Sequence, residues 1–265
     1  MTRLFRIAPT PSGYLHKGNI FNFLLTAKLA KDNDAKLMLR IDDLDAERVK
    51  QEYVDDIFRV LNQLELQWDL GPKTAGDFIR DWSQISRWDL YLGYLNQLKE
   101  TRQVFACECS RKELPKNGIY PGTCTNKNLS LENKNLAWRV KERAEIIQLE
   151  DQKLGTIEMN PGKELGSFIV RRRDGIPSYQ LSSLADDVHF GITDIVRGKD
   201  LFDSTFMQLQ LAEMLDLPAF QSIQFYHHNL ITDGKEKLSK SAGLQAEPLE
   251  FDAKEIKEEF EAWLK

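Results

Sequence analysis

The chain has 265 residues, 42% of them apolar and 29% charged, with a net charge of −5. That length supports one large domain or two small ones with a real core, and the acidic balance excludes a generally basic surface that grips nucleic acid nonspecifically. No apolar run is long enough to span a membrane, and Arg3 and Arg6 interrupt the region where a signal peptide would need its apolar stretch, so a cytoplasmic protein is expected.

Leu4, Phe5 and Ile7 predict a short buried strand, which Pro9 and Pro11 end because proline has no N–H for a ladder. Gly13 and Gly18 keep bulk off the turn that follows, and Asn19 is the expected cap of a helix whose apolar residues Ile20, Phe21, Phe23, Leu24, Ala27 and Leu29 recur at helical spacing. A helix start after a strand offers unpaired N–H groups to an anion, and His16 stands at that entrance. A strand over residues 36–41 completes a βαβ unit, which requires parallel strands. Ile57, Val60, Leu61 and Leu64 mark a second helix, and from about Gly71 the character changes.

Trp82, Ile85, Trp88, Leu92 and Leu95 predict one further helix, followed by three cysteines and short strands over residues 137–140 and 167–171. Nucleotide-domain periodicity returns over residues 179–187, 192–197, 205–215 and 222–227. A glycine-bounded stretch over 232–243 then offers Lys237 and Lys240 to a polyphosphate, although a lysine pair in a loop is ordinarily a solvated turn. Ile256, Phe260 and Trp263 give an amphipathic closing helix. Basic candidates for local RNA contact, such as Arg171, Arg172 and Arg173, read individually as solvated charge.

Cys107, Cys109 and Cys124 fall within 18 residues, with Tyr120 between them. In a cytoplasmic protein such clustering favours a metal over a disulfide, and thiolates select zinc. Buried or redox-sensitive thiols are the other reading. Three ligands leave a tetrahedral ion one short, to be completed by water, a distant histidine or the Tyr120 oxygen.

Taken together, the two end segments resemble the paired signatures of class I aminoacyl-tRNA synthetases. His16-Lys17-Gly18-Asn19 is similar to the "HIGH" element and Lys237-Leu238-Ser239-Lys240-Ser241 to the "KMSKS" element. Residues 6–13 and Leu39-Arg40-Ile41-Asp42-Asp43-Leu44-Asp45 resemble the glutamyl and glutaminyl subgroup, and the likeness covers nearly the whole chain. It implies an α/β fold, a Rossmann-type parallel-sheet catalytic domain in two halves, 1–70 and 179–265, around an inserted zinc-containing α+β domain, 71–178. The cysteine spacing resembles the zinc site of glutamyl-Q tRNA(Asp) synthetases, shortened relatives of glutamyl-tRNA synthetase, in which the tyrosine is the fourth ligand. Cys107, Cys109, Tyr120 and Cys124 are then structural Zn²⁺ ligands.

The resemblance further implies activation of glutamate by ATP with Mg²⁺. His16 and Lys240 would serve catalysis. Pro9, His16, Gly18, Asn19, Lys237 and Lys240 would hold ATP. Arg6, Ala8, Thr10, Asp42, Tyr179 and Arg197 would hold glutamate, whose two carboxylates suit two arginines. Asp42 departs from the family, which generally has Glu there. Asp186-Asp187 keeps the acidic pair of relatives, with a structural and a catalytic role both open.

Only 24 residues follow Ser241, so no anticodon-binding domain is expected. Transfer of glutamate to the queuosine base of tRNA(Asp), with the catalytic core of a monomer holding the anticodon stem-loop, is the implied reaction. An adenylate-forming paralogue with another acceptor, or a tRNA-binding module without catalysis, are the competing expectations.

Overall fold

A computed structural model describes residues 2–115, 118–233, 236–237 and 247–264. They form two compact units that interleave along the chain, one of Met1–Ser86, Ile192–Lys199 and Phe225–Lys265, the other of Arg87–Gly191 and Asp200–Gln224. Among the described residues no helix is long and apolar enough to cross a membrane.

In the first unit β1 (Leu4–Ile7), fully buried, leads into α1 (Lys17–Asp32) and β2 (Lys36–Leu39). β1 and β2 run parallel from Leu4↔Lys36 to Ile7↔Leu39, the crossover that the first helix predicts. Then come α2 (Gln51–Gln63) and a single helical turn, α3 (Ala75–Asp77). β8 (Asp194–Gly198) lies parallel to β1 through Phe5↔Asp194, and β9 (Gln224–His228) follows it in the order β2-β1-β8-β9. Two-residue strands β10 (Thr232–Asp233) and β11 (Glu236–Lys237) pair antiparallel, and α9 (Ala253–Leu264) closes the unit.

The core of this unit runs from the sheet to its helices: Phe5, Ile7 and Leu39 cluster with Ile20, Phe21 and Leu24 of α1 and Val54, Ile57 and Leu61 of α2. Phe260 and Trp263 of α9 lie with their rings 5.6 Å from that of Phe21. Burying about 25 cal/mol per Å² of apolar surface makes these packed faces the main support of the sheet.

In the second unit α4 (Trp88–Glu100) leads to β3 (Val104–Cys107) and β4 (Ala137–Val140). A hairpin of β5 (Ile147–Asp151) and β6 (Gly155–Met159), the turn α5 (Pro161–Glu164) and β7 (Ile169–Arg171) follow. α6 (Tyr179–His189), α7 (Phe202–Met214) and α8 (Pro218–Gln221) complete it. β3, β4 and β7 make a three-stranded antiparallel sheet, with β4 and β7 at the short strands expected over 137–140 and 167–171.

Two local expectations are corrected. The stretch from Trp82 to Leu95 is not one helix: a wide turn closed by Ser83 N–H to Phe78 O at 3.0 Å and a tighter turn over 84–87 precede α4, and Ile85 is 60% exposed. Asp43 causes the break, accepting from Ser83 Oγ at 2.6 Å and Gln84 N at 2.7 Å. Asn19 is not the cap of α1 either. His16 is, and Asn19 sits three residues inside the helix.

Candidate active site and thiol cluster

The sheet of the first unit carries two of the expected residues near the carboxyl ends of neighbouring parallel strands, where open α/β sheets bind ligands. Arg6 lies in β1 and Arg197 in β8, both buried. Past β2 the pairing continues through loop backbone, with Arg40 N–H to Ile7 O and Asp42 N–H to Pro9 O, each 2.9 Å. Pro9 is buried, whereas Ala8 and Thr10 are half-buried. The Arg197 guanidinium carbon stands 5.4 Å from the ring centre of Phe225 on β9, a contact that favours a cation.

Asp42 is held by a partner adjacent in sequence. Arg40 donates from Nε to Oδ1 at 2.7 Å and from Nη2 to Oδ2 at 3.1 Å, with both side chains buried. This bidentate pair fixes the carboxylate and neutralises much of its charge. Burial pushes the neighbouring Asp43 carboxyl above the usual carboxylate range, against the opposing effect of its bonds to Ser83 and Gln84.

His16 is extended at φ −112° and ψ 169° and closes a reciprocal box: its Nδ1 accepts from Asn19 N at 3.3 Å, and its own N–H donates to Asn19 Oδ1 at 3.0 Å. With Nδ1 accepting, the neutral imidazole carries its hydrogen on Nε2. Gly18 makes room for that ring, since a Cβ there would lie 2.8 Å from His16 Cε1. From behind, Asp56 on α2 accepts the Leu15 N–H at 2.9 Å and the Arg59 guanidinium at 2.7 Å, and Arg59 also donates to Leu249 O at 3.0 Å. One buried carboxylate therefore steadies the approach to His16 and, through Arg59, the chain that returns after the lysine-rich stretch.

Tyr179 opens α6 in the second unit and is 38% exposed. Lys237 ends β11, and Lys240 lies outside the described residues. Asp186 has a structural explanation: it is fully buried, takes Arg87 at 2.7 and 3.1 Å through both oxygens, and accepts Tyr91 Oη at 2.8 Å. The sequence motifs give Arg40 no role of its own and do not single out Asp56 or the pair Asn22–His228, in which Asn22 on α1 reaches His228 Nε2 at 3.0 Å and Val196 O at 3.3 Å. Only the run Arg40-Ile41-Asp42, with both charges pointing to one side of an extended chain, carried a local signal.

The cysteines converge in the second unit. Their three sulfurs lie within 4.8 Å of one another, with Cys109 Sγ 3.5 Å from Cys124 Sγ. Tyr120 Oη stands 3.5 Å from Cys107 Sγ and 3.8 Å from Cys109 Sγ, and accepts the Cys124 N–H at 2.7 Å. Four donors at zinc–ligand bond lengths would sit about 3.5–3.8 Å apart, so this set fits a tetrahedral ion. Burial raises Cys124, but hydrogen bonds from Tyr120, the backbone and the other two thiols outweigh it and bring the thiol down to about 7. Burial first, then bonding to Cys124, pushes Cys109 up to about 11. Cysteines bind zinc as thiolates, so metal uptake by this donor set releases protons. The loop carrying Tyr120 needs Gly166, at φ +66°, where a Cβ would lie 3.3 Å from Tyr120 O.

Residues 4–253 match the family described as tRNA synthetases class I (E and Q), catalytic domain. A glutamyl-Q tRNA(Asp) synthetase of Pseudomonas syringae pv. syringae is 41% identical over 239 residues, covering 89% of this chain and 76% of its own. One from Pseudomonas fluorescens is 40% identical over 239 residues, covering 89% and 75%. Among solved structures, the glutamate-tRNA synthetase of Elizabethkingia anophelis superposes with a TM-score of 0.75 at 25% identity, covering 92% of this chain and 53% of that one. The present chain thus spans about half the length of that enzyme. The family match and the similar relatives agree: the chain belongs to the class I tRNA synthetases of the glutamate and glutamine type, a family of ATP-dependent ligases, and stands within it beside the glutamyl-Q tRNA(Asp) synthetases.

Proposed function

We propose that this chain activates glutamate with ATP, without needing tRNA, and transfers it to the queuosine base in the anticodon of tRNA(Asp). The observation that carries the first half is the placement of two buried arginines, Arg6 and Arg197, at the carboxyl ends of neighbouring parallel strands. A guanidinium matches a carboxylate with two parallel N–H donors, and glutamate brings two carboxylates to two arginines. Tyr179 supplies a hydroxyl, and Ala8 and Thr10 shape the floor. Asp42 faces the ammonium, although its pairing with Arg40 trims the attraction it can offer.

In activation, an oxygen of the glutamate α-carboxylate attacks the α-phosphorus of ATP. The bond from that phosphorus to the bridging oxygen breaks, and pyrophosphate leaves. His16 donates from Nε2 to a phosphate oxygen, the N–H groups at the start of α1 add their partial positive charge, and Lys240, with Lys237 as the second candidate, neutralises the leaving group. Pro9, Gly18 and Asn19 give the nucleotide close access to this turn. Mg²⁺ entering with ATP would supply further positive charge to the phosphates, beside that of His16 and Lys240. A queuosine hydroxyl then attacks the adenylate carbonyl, forming the ester and releasing AMP.

The support for queuosine as acceptor is the name shared by the matched relatives. Zinc, held by Cys107, Cys109, Tyr120 and Cys124, is given a structural role in the insertion over 71–178, between Rossmann halves 1–70 and 179–265. A cytoplasmic monomer suffices for this chemistry.

ATP–pyrophosphate exchange with glutamate and no RNA tests activation, and silence with every amino acid tried overturns it. Radiolabelled glutamate is expected on tRNA(Asp) carrying queuosine and not on the same tRNA carrying guanosine. Equal labelling of both overturns the acceptor.

A further inference from the structure

We propose that Arg139 sets the metal affinity of the thiol cluster by acting as its buried counter-charge, an inference that rests on the zinc reading above. Arg139 lies in β4 and is 5% exposed. Its Nε donates to Cys107 Sγ at 3.4 Å, and its guanidinium carbon sits 4.1 Å from the ring centre of Tyr120. It therefore touches two of the four donors at once. Its remaining printed bond runs from Nη1 to Ser167 O at 2.7 Å, which orients the guanidinium without neutralising it. No carboxylate of the described residues pairs with Arg139.

A buried guanidinium without a carboxylate needs another anion. The cluster has one to offer, because three thiolates around a divalent ion leave one net negative charge with a neutral phenol and two with a phenolate. Arg139 cancels one of them at contact distance in a water-poor site, where charge interactions are strong. The strand pairing is adjusted at the same place: β4 and β7 shift register between Trp138 and Arg139, and such bulges re-aim side chains. Removing charge compensation next to the ligands of a metal commonly lowers affinity about 10- to 100-fold.

The test uses the full-length zinc-loaded protein. R139Q removes the charge at similar length, and R139K keeps the charge while losing the planar fork over Tyr120. Zinc affinity is read by competition with a chromogenic chelator at neutral pH, and independently by the rise in Tm that saturating zinc gives each protein. R139Q is expected to bind zinc about 10- to 100-fold more weakly and to show a smaller zinc-dependent rise in Tm, whereas R139K keeps most of both. If R139Q does not fold, R139K decides alone, because a loss of affinity with the charge intact overturns the counter-charge role. Lower Tm in both variants with unchanged zinc affinity means that Arg139 only packs β4, which also overturns it. A wild-type protein that takes up no zinc removes the zinc reading first and this inference with it.

Discussion

The strand-end site of the first unit and the thiol cluster of the second are both built from charged or ionisable groups withdrawn from water, yet they are positioned in opposite ways. Arg6, Arg197 and the Arg40–Asp42 pair sit on or immediately beyond strands whose ladders fix them, over a core running from Phe5 and Ile7 to Phe260. Cys107 ends a strand, but Cys109, Tyr120 and Cys124 come from loop, and the apolar cluster around them contains Phe105, Leu114 and Leu129 and little else. In the first region the fold makes the site. In the second, the site must help make the fold, since backbone without a ladder needs another source of order. Side chains removed from the two regions should therefore fail differently.

Arg197→Ala is expected to have the largest effect on activity. Losing one arm of the proposed carboxylate clamp would cost about 2–5 kcal/mol, or roughly 30- to 5000-fold in kcat/KM for glutamate. Calorimetric glutamate affinity should fall in parallel. Unchanged affinity would remove Arg197 from the pocket. Lys240→Ala and His16→Ala are expected to slow adenylate formation by on the order of 10²- to 10³-fold while leaving glutamate affinity nearly intact, because their work is on phosphate charge. His16→Ala should also lower Tm by a few degrees, since it deletes the helix cap at a cost of about 1 kcal/mol. Equal losses of exchange rate and glutamate affinity would contradict those roles.

Cys124→Ser should show the reverse pattern: no bound zinc, Tm lower by about 10 °C, and residual pyrophosphate exchange at a temperature where the protein stays folded. Chelation of the wild-type protein should reproduce it. A metal-free wild-type protein of normal Tm would break the contrast between the two regions.

The same contrast governs what could be read from the chain. β1, α1 and β2 were legible because a parallel crossover writes itself as an apolar run, a helical period and a second run, and the structure has them over Leu4–Ile7, Lys17–Asp32 and Lys36–Leu39. The cysteine spacing was equally legible as a cluster, and the sulfurs do converge. What escaped were partners set by tertiary geometry. Asp56 meets Leu15 across 41 positions and Arg87 meets Asp186 across 99, with no periodicity linking them. Periodicity also joined Trp82 to Trp88 across a break held by long-range bonds from Asp43 to Ser83 and Gln84 and from Leu44 to Gln84. At α1, the preference of asparagine for caps pointed to Asn19, but the imidazole reached its N–H first, a choice permitted by the missing side chain at Gly18.

Gly18→Ala separates the two kinds of failure within a single residue and has the smallest expected effect on activity. In the first turn of a helix alanine is favoured over glycine by up to about 1 kcal/mol, which acts to hold or raise Tm. The new methyl would lie 2.8 Å from His16 Cε1 and 2.9 Å from Nδ1, so the imidazole must turn away from Asn19 N and carry its Nε2 hydrogen off line. A loss of about tenfold in kcat/KM for ATP is expected, corresponding to about 1.4 kcal/mol of misdirected hydrogen bonding, with glutamate affinity unchanged. Stability maintained while the phosphate step slows would show that His16 is positioned for chemistry beyond its capping role. If Tm and the rate fell together, the ring would be acting mainly as a helix cap, and the phosphate contact would have to be assigned to the backbone N–H groups of α1.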